Sequence, residues 1–127
     1  MLAGSRPPLS VAALVADPIH GGALDGATRY GAASGGDRLL VRIALWLDDG
    51  RRVARARFQS TTCASLIAYA ELACRLLEAG DDPAALDGPR LRAGLAGVHP
   101  IHLDRSDLVA RAVRAAFEAP HPQEPAP

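Results

Sequence analysis

The sequence predicts an α+β fold, a small antiparallel sheet with helices packed on one face, and three observations carry that expectation. Between Asp37 and Leu47 apolar residues alternate with others; after a turn the alternation returns from Arg52 to Gln59; beyond Ser60 the apolar period lengthens to that of a helix. Strands followed by helices, rather than strict strand–helix alternation, argue for segregated layers.

Taken in order, residues 1–8 read as a flexible start. Leu9 to Ala16 reads as a short helix, with Ser10 able to accept backbone N–H bonds near its start and Pro18 preventing continuation. Asp17 to Thr28 is rich in glycine and small residues and reads as a loop. Arg29 to Ala33 reads as a short strand, and Ser34-Gly35-Gly36 turns the chain. In the strand from Asp37, Leu39, Val41, Ile43, Leu45 and Leu47 share one face and Arg38, Arg42 and Trp46 the other. Asp48-Asp49-Gly50 has the chemistry of a hairpin turn, and the returning strand sets Ala54, Ala56 and Phe58 against Arg55 and Arg57.

The next segment carries Leu66, Ala70, Ala73 and Leu77 at helical spacing, flanked by Ile67 and Cys74, and stops at Gly80. Pro89 to Leu95 reads as a short helix. A last helix from about Ser106 to Glu118 turns Leu108, Val109, Ala112, Val113, Ala116 and Phe117 inward. Residues 9–118 thus form one domain. The stretch 119–127, where four prolines fall with no apolar periodicity, reads as a disordered tail.

A chain of 127 residues suits one core. Its 14 basic and 14 acidic side chains cancel, which removes the electrostatic case for nucleic acid or an anionic membrane as partner. No stretch approaches the roughly 20 apolar residues of a membrane span. The two cysteines, Cys63 and Cys74, fit neither a zinc-finger spacing nor a disulfide scaffold, and point to a reducing cytoplasm. On one helix they stand roughly 16 Å apart by helix rise, too far for a disulfide. Cys74 reads as a small core residue. No nucleophile elbow, phosphate loop or dinucleotide fingerprint is present, so nothing identifies an enzyme.

Four segments, in order, resemble the IscU/NifU N-terminal family of iron–sulfur cluster scaffolds. Asp17-Pro18-Ile19-His20-Gly21-Gly22-Ala23-Leu24-Asp25 is similar to the family's Asn-Pro-Arg-Asn-x-Gly-x-Leu-Asp, and Gly31-Ala32-Ala33-Ser34-Gly35-Gly36-Asp37 to Gly-Ala-Pro-x-Cys-Gly-Asp. Ala56-Arg57-Phe58-Gln59-Ser60-Thr61-Thr62-Cys63-Ala64-Ser65 resembles Ala-Arg-Phe-x-x-x-Gly-Cys-x-Ser, the most specific of the matches. Pro100-Ile101-His102-Leu103-Asp104-Arg105-Ser106 aligns without gaps to Pro-Val-Lys-Leu-His-Cys-Ser.

The resemblance implies a scaffold that holds iron, zinc or a 2Fe–2S cluster with three cysteines, an aspartate and a histidine, and works with a cysteine desulfurase and iron–sulfur acceptor proteins. Carried across, the aspartate is Asp37 and the middle cysteine Cys63. The other cysteine positions hold Gly35 and Arg105, and the histidine position holds Asp104. Slipping the last segment by two residues would instead place His102 at the histidine position and Leu103 at the cysteine. In the segment by which the family contacts a dedicated chaperone, His99 and His102 replace a proline and a lysine.

Cysteine at the start of a helix faces backbone N–H groups and the positive end of the helix dipole, which favour an anionic ligand. A cluster usually needs about four protein ligands, and thiolates suit it best. Cys63 and Asp37 alone make half of that set. Asp104 with His102 or His99 would extend it within one chain, and a homodimer giving Cys63 and Asp37 twice would complete it. Arg105 opposes cation binding by Coulomb repulsion and offers an ion pair to Asp37 or Asp104 instead.

Three functions follow as expectations: a scaffold binding iron or a cluster through a reduced ligand set; a pseudo-scaffold that keeps the fold as an interaction module; and a single-thiol sulfur or redox carrier through Cys63. The arginines at 38, 42, 55 and 57 read as a solvated sheet face. Trp46, on that face, marks a contact surface or packs under the N-terminal segment. His20 and His121 read as surface residues.

Overall fold

The computed structural model describes residues 7–36, 38–49 and 51–118. The predicted tail 119–127, His121 and Asp37 lie outside them. The elements run β1 (Leu9–Ser10), α1 (Val11–Ala16), β2 (Arg29–Gly35), β3 (Leu39–Leu47), β4 (Val53–Ser60), α2 (Ala64–Glu78), α3 (Gly88–Ala93), β5 (Leu95–Ala96) and α4 (Arg105–Glu118), with single 3-10 turns at Pro83–Ala85 and Pro100–His102.

Strands β2, β3 and β4 form an antiparallel sheet in that order, with Gly31 opposite Ile43 and Ile43 opposite Phe58. Because side chains alternate, this register turns Val41, Ile43, Leu45, Ala56 and Phe58 to one face, where all are buried. Helix α2 packs on that face at β4 and α4 crosses it at β2 and β3. The predicted α+β class is therefore the observed one. Ten of the fifteen residues of α2 are buried, so it is enclosed nearly all round rather than along one stripe.

Several local expectations are corrected. Ser10 does cap a helix, accepting from the Ala13 N–H at 3.1 Å, but the helix begins only at Val11. Leu9 and Ser10 are extended instead, because they pair in parallel with Leu95 and Ala96. That pairing also ends the third helix at Ala93 rather than at Leu95. A six-residue helix is too short to stand alone, and α1 is held by Leu14, buried in the core.

In β4 the predicted inward position of Ala54 is wrong. Trp46 pairs with Arg55 and Leu47 with Val53, so Ala54 is the extra residue of a β-bulge. The bulge leaves Ala54 exposed and turns Val53 to the core in its place.

The outer face of the sheet is less open than alternation suggests. The segment between α1 and β2 folds over it, and Leu24, Ala27, Tyr30 and Ala44 make a second small core with Trp46 against it. Trp46 thus packs under the N-terminal segment, and the Arg55 guanidinium lies 4.8 Å from its ring centroid. Arg42 and Arg57 are only partly exposed, and Arg57 is bonded to Glu78 at 2.8 Å, so the arginine strip is not simply a solvated face.

His20 is the largest correction. Expected at the surface, it is 6% exposed, with its ring nitrogens 2.6 Å from Glu71 Oε2 and 2.9 Å from Glu78 Oε1. The cause is the path of its segment, which runs along the free edge of β4. The Phe58 N–H donates to the His20 carbonyl at 3.0 Å and the Gly22 N–H to the Phe58 carbonyl at 3.1 Å, closing backbone groups that an edge strand leaves open.

Gly31 sets how closely α4 lies on the sheet. A Cβ there would collide with the backbone nitrogen of Ala116 and the carbonyl oxygen of Ala112, atoms that no rotamer change can move. Gly36 has open space around its Cβ direction. Gly31→Val should therefore destabilise the fold by about 3 kcal/mol or more in urea unfolding, at or beyond the upper end of overpacking costs, while Gly36→Ala stays near neutral. Equal unfolding midpoints for the two variants would contradict this packing.

Candidate functional site

Three chain segments converge at one end of the sheet. They are the end of β2 at Gly35-Gly36, the N-terminus of α2, and the turn leading into α4. A pocket of about 240 Å³ there is lined by Gly35, Gly36, Leu39, Asp104, Arg105 and Arg111, among others.

Cys63 is the N-cap of α2, with extended backbone angles of φ −149° and ψ 118°. Its side chain makes no capping hydrogen bond, so the thiol is left for other contacts. It is partly exposed, whereas Cys74 is fully buried. Burial above all, and then the Glu71 and Glu78 carboxylates, push the Cys74 thiol well above its ordinary pKa, which fits an inert core residue.

Arg105 opens α4 and turns back into the site. Its guanidinium bonds Asp104 Oδ1 at 2.8 Å, and its side chain is only 11% exposed against 69% for Asp104. The Asp104 hydrogen bond raises the Arg105 pKa, burial works against that rise, and contact with Cys63 adds to it. A fixed cation therefore stands between the carboxylate and the thiol. Its Nε is buried with no hydrogen-bond partner.

Sequence reasoning missed how this turn is anchored. Arg92 of α3 donates to the Ser106 hydroxyl at 2.8 Å, and that hydroxyl donates to the Leu103 carbonyl at 2.6 Å. Ser106 is fully buried, so this chain of bonds fixes the direction in which residues 104 and 105 leave the turn. Fourteen residues separate Arg92 from Ser106, and no periodicity signals such a pair.

His102 sits on the 3-10 turn before α4, with Nδ1 3.2 Å from the Ser65 hydroxyl in the first turn of α2. The ring of His99 lies 5.9 Å from that of His102. His99 Nδ1 accepts from the Ile101 N–H at 3.2 Å and so caps its own turn.

The structure thus gathers Gly35, Asp104 and Arg105 around one pocket, puts Cys63 in contact with Arg105, and sets His102 against the start of the helix that Cys63 caps. Among the described residues no group of three histidine, cysteine, aspartate or glutamate side chains is placed to hold a metal ion. One thiolate donor beside a guanidinium, with Asp104 already paired, is a poor match to an iron–sulfur cluster.

Native protein treated with a thiol reagent should take up one adduct, at Cys63, and Cys74 should react only after unfolding. Peptide mass analysis reads this directly; rapid labelling of Cys74 in the folded state would refute the burial described.

A family model described as the NifU-like N terminal domain matches residues 10–122. A solved structure described as that of a hypothetical protein is similar at 17% identity, with a TM-score of 0.50 and 82% of each chain covered, a likeness of fold. No curated protein matches the chain. Among the described residues no helix is long and apolar enough to cross a membrane. The matched span takes in every element of the fold from α1 onward, including the three segments that meet at the site. The chain belongs to the NifU-like N-terminal domain family, the non-catalytic scaffold family of iron–sulfur cluster assembly.

Proposed function

We propose that this chain is a pseudo-scaffold of the cluster-assembly system: a cytoplasmic interaction module that keeps the scaffold fold without assembling clusters itself. Its partners are a cysteine desulfurase or the proteins that accept clusters. The observation that carries this reading is Arg105, which stands where the family places its last cysteine and is 11% exposed and bonded to Asp104 at 2.8 Å. Asp104 stands where the family places its histidine. Two former ligand positions have become an ion pair, and a third, Gly35, has no donor atom to offer. A partly buried cation beside the single retained thiol raises the cost of bringing iron there.

A second reading keeps iron or a cluster bound through a reduced set of Cys63, Asp37, Asp104 and His102, in one chain or across a homodimer. What favours it is the Cys63 thiol, partly exposed and free of any capping bond, with His102 bonded to Ser65 two residues along the same helix. It requires Arg105 to leave Asp104.

Anaerobic reconstitution with iron and sulfide separates the two. Wild type and Cys63→Ala should both lack the visible absorption of a cluster, and the double variant Gly35→Cys with Arg105→Cys should gain it. A Cβ at Gly35 meets only the Leu108 side chain, at 3.6 and 3.8 Å, so the first substitution fits the fold. Absorption in wild type that disappears in Cys63→Ala would establish the second reading.

A further inference from the structure

The pocket leaves unused a cluster of charge on the C-terminal half of α2, away from its Cys63 end. Glu71 is fully buried, and its Oε2 lies 2.6 Å from both His20 Nδ1 and Arg75 Nε. Its Oε1 accepts from the His20 backbone N–H at 2.8 Å. Glu78 Oε1 lies 2.9 Å from His20 Nε2, and Glu78 Oε2 accepts at 2.8 Å from both the Ala56 N–H and Arg57. From α2 the histidine ring thus meets Glu71 and Glu78, with Arg75 and the buried Cys74 thiol beside them. From β4, Arg57 shares the Glu78 carboxylate with it, and from its own segment the Asp17 carbonyl takes a bond from Arg75 at 3.4 Å.

We propose that His20 is a doubly protonated clasp, which locks the segment between α1 and β2 onto the free edge of β4 and releases it when the ring loses one proton to solvent. Net charge does not decide this, because two arginines already balance two carboxylates. Hydrogen-bond direction does. Each ring nitrogen faces a carboxylate oxygen, an ionised carboxylate only accepts, and both bonds form only if both nitrogens carry protons.

The alternative, a proton on a carboxyl group, is opposed at each end by the N–H donors that the carboxyl already accepts from. Burial raises the Glu78 pKa, but the Ala56 N–H, His20 and Arg57 outweigh it and hold the carboxyl below its usual range. At Glu71, Oε1 accepts from the His20 backbone N–H and Oε2 from the Arg75 Nε–H, two donors that favour an acceptor-only carboxylate over a carboxylic acid. The His20 side chain is 8% exposed, so water cannot readily replace a bond once lost.

The clasp carries more than one side chain. The His20 carbonyl and the Gly22 N–H are bonded to Phe58, and the same segment brings Leu24 and Ala27 over the outer face of the sheet. Release would open the Phe58 backbone groups on the edge of β4, a site suited to pairing with an added strand.

The test is nitrogen NMR of the labelled wild-type chain with its histidine rings assigned. At neutral pH both His20 ring nitrogens should show the similar shifts of an imidazolium. As the solution is made alkaline and the ring deprotonates, the Gly22 and Phe58 amides should lose hydrogen-exchange protection by about tenfold or more, after correction for base catalysis, as expected for losing a buried charge-assisted bond. The Ile43 amide in the central strand should keep its protection. In His20→Gln, which retains one side-chain donor, the alkaline step at Gly22 and Phe58 should vanish. A neutral-tautomer pattern at neutral pH would overturn the proposal. So would Gly22 and Phe58 protection that persists through deprotonation of the wild-type ring, a readout that does not depend on the variant folding.

Discussion

Close contact between α4 and β2 at Gly31 governs most of what this fold can do. Backbone meets backbone there, since Ala112 and Ala116 leave no room for even a methyl group. With α4 pressed to the sheet, its apolar face of Leu108, Val109, Ala112, Val113 and Ala116 is fully buried, and its first residue is delivered to the end of β2. Arg105 therefore has no freedom to leave the pocket by rotating the helix. The Arg92–Ser106–Leu103 chain of hydrogen bonds fixes the same end from the opposite side.

Once Arg105 is delivered there, its charge needs a partner. Asp104 supplies a carboxylate, and Cys63 adds a weaker interaction from the N-terminus of α2. A site of this kind binds cations poorly for the reason that metal sites bind them well: the local field has the opposite sign. The resemblance implies that three of the family's donor positions have been exchanged for a charge pair, Asp104 and Arg105, and a glycine, Gly35. On the pseudo-scaffold reading, fold and function separate at three residues.

Much of this was legible in the sequence, and the limits have physical causes. The alternation from Leu39 to Leu47 and the helical stripe from Leu66 to Leu77 report contacts made by whole faces, so periodicity finds them. Spacing alone could not show that Arg105 meets Cys63, since forty-one residues of chain lie between; the resemblance to a family supplied that neighbourhood, and the structure supplied the pairing with Asp104. The bulge at Ala54 was invisible because a single extra residue leaves composition and turn chemistry unchanged. His20 was misread because a lone histidine in a glycine-rich segment carries no period, and its partners, Glu71 and Glu78, are fifty-one and fifty-eight residues away. Glu71 itself sits in the apolar run of α2, one turn before Arg75, and a charged residue within that run was the available signal of a buried network.

The central claim, that an arginine ion pair has taken the place of metal ligands, is tested most directly by anaerobic calorimetric titration of ferrous or zinc ions into the reduced wild-type chain and Cys63→Ala. The account predicts no stoichiometric binding in either protein and titration curves that superimpose. Saturable binding in wild type that is lost with the Cys63 thiol would contradict it.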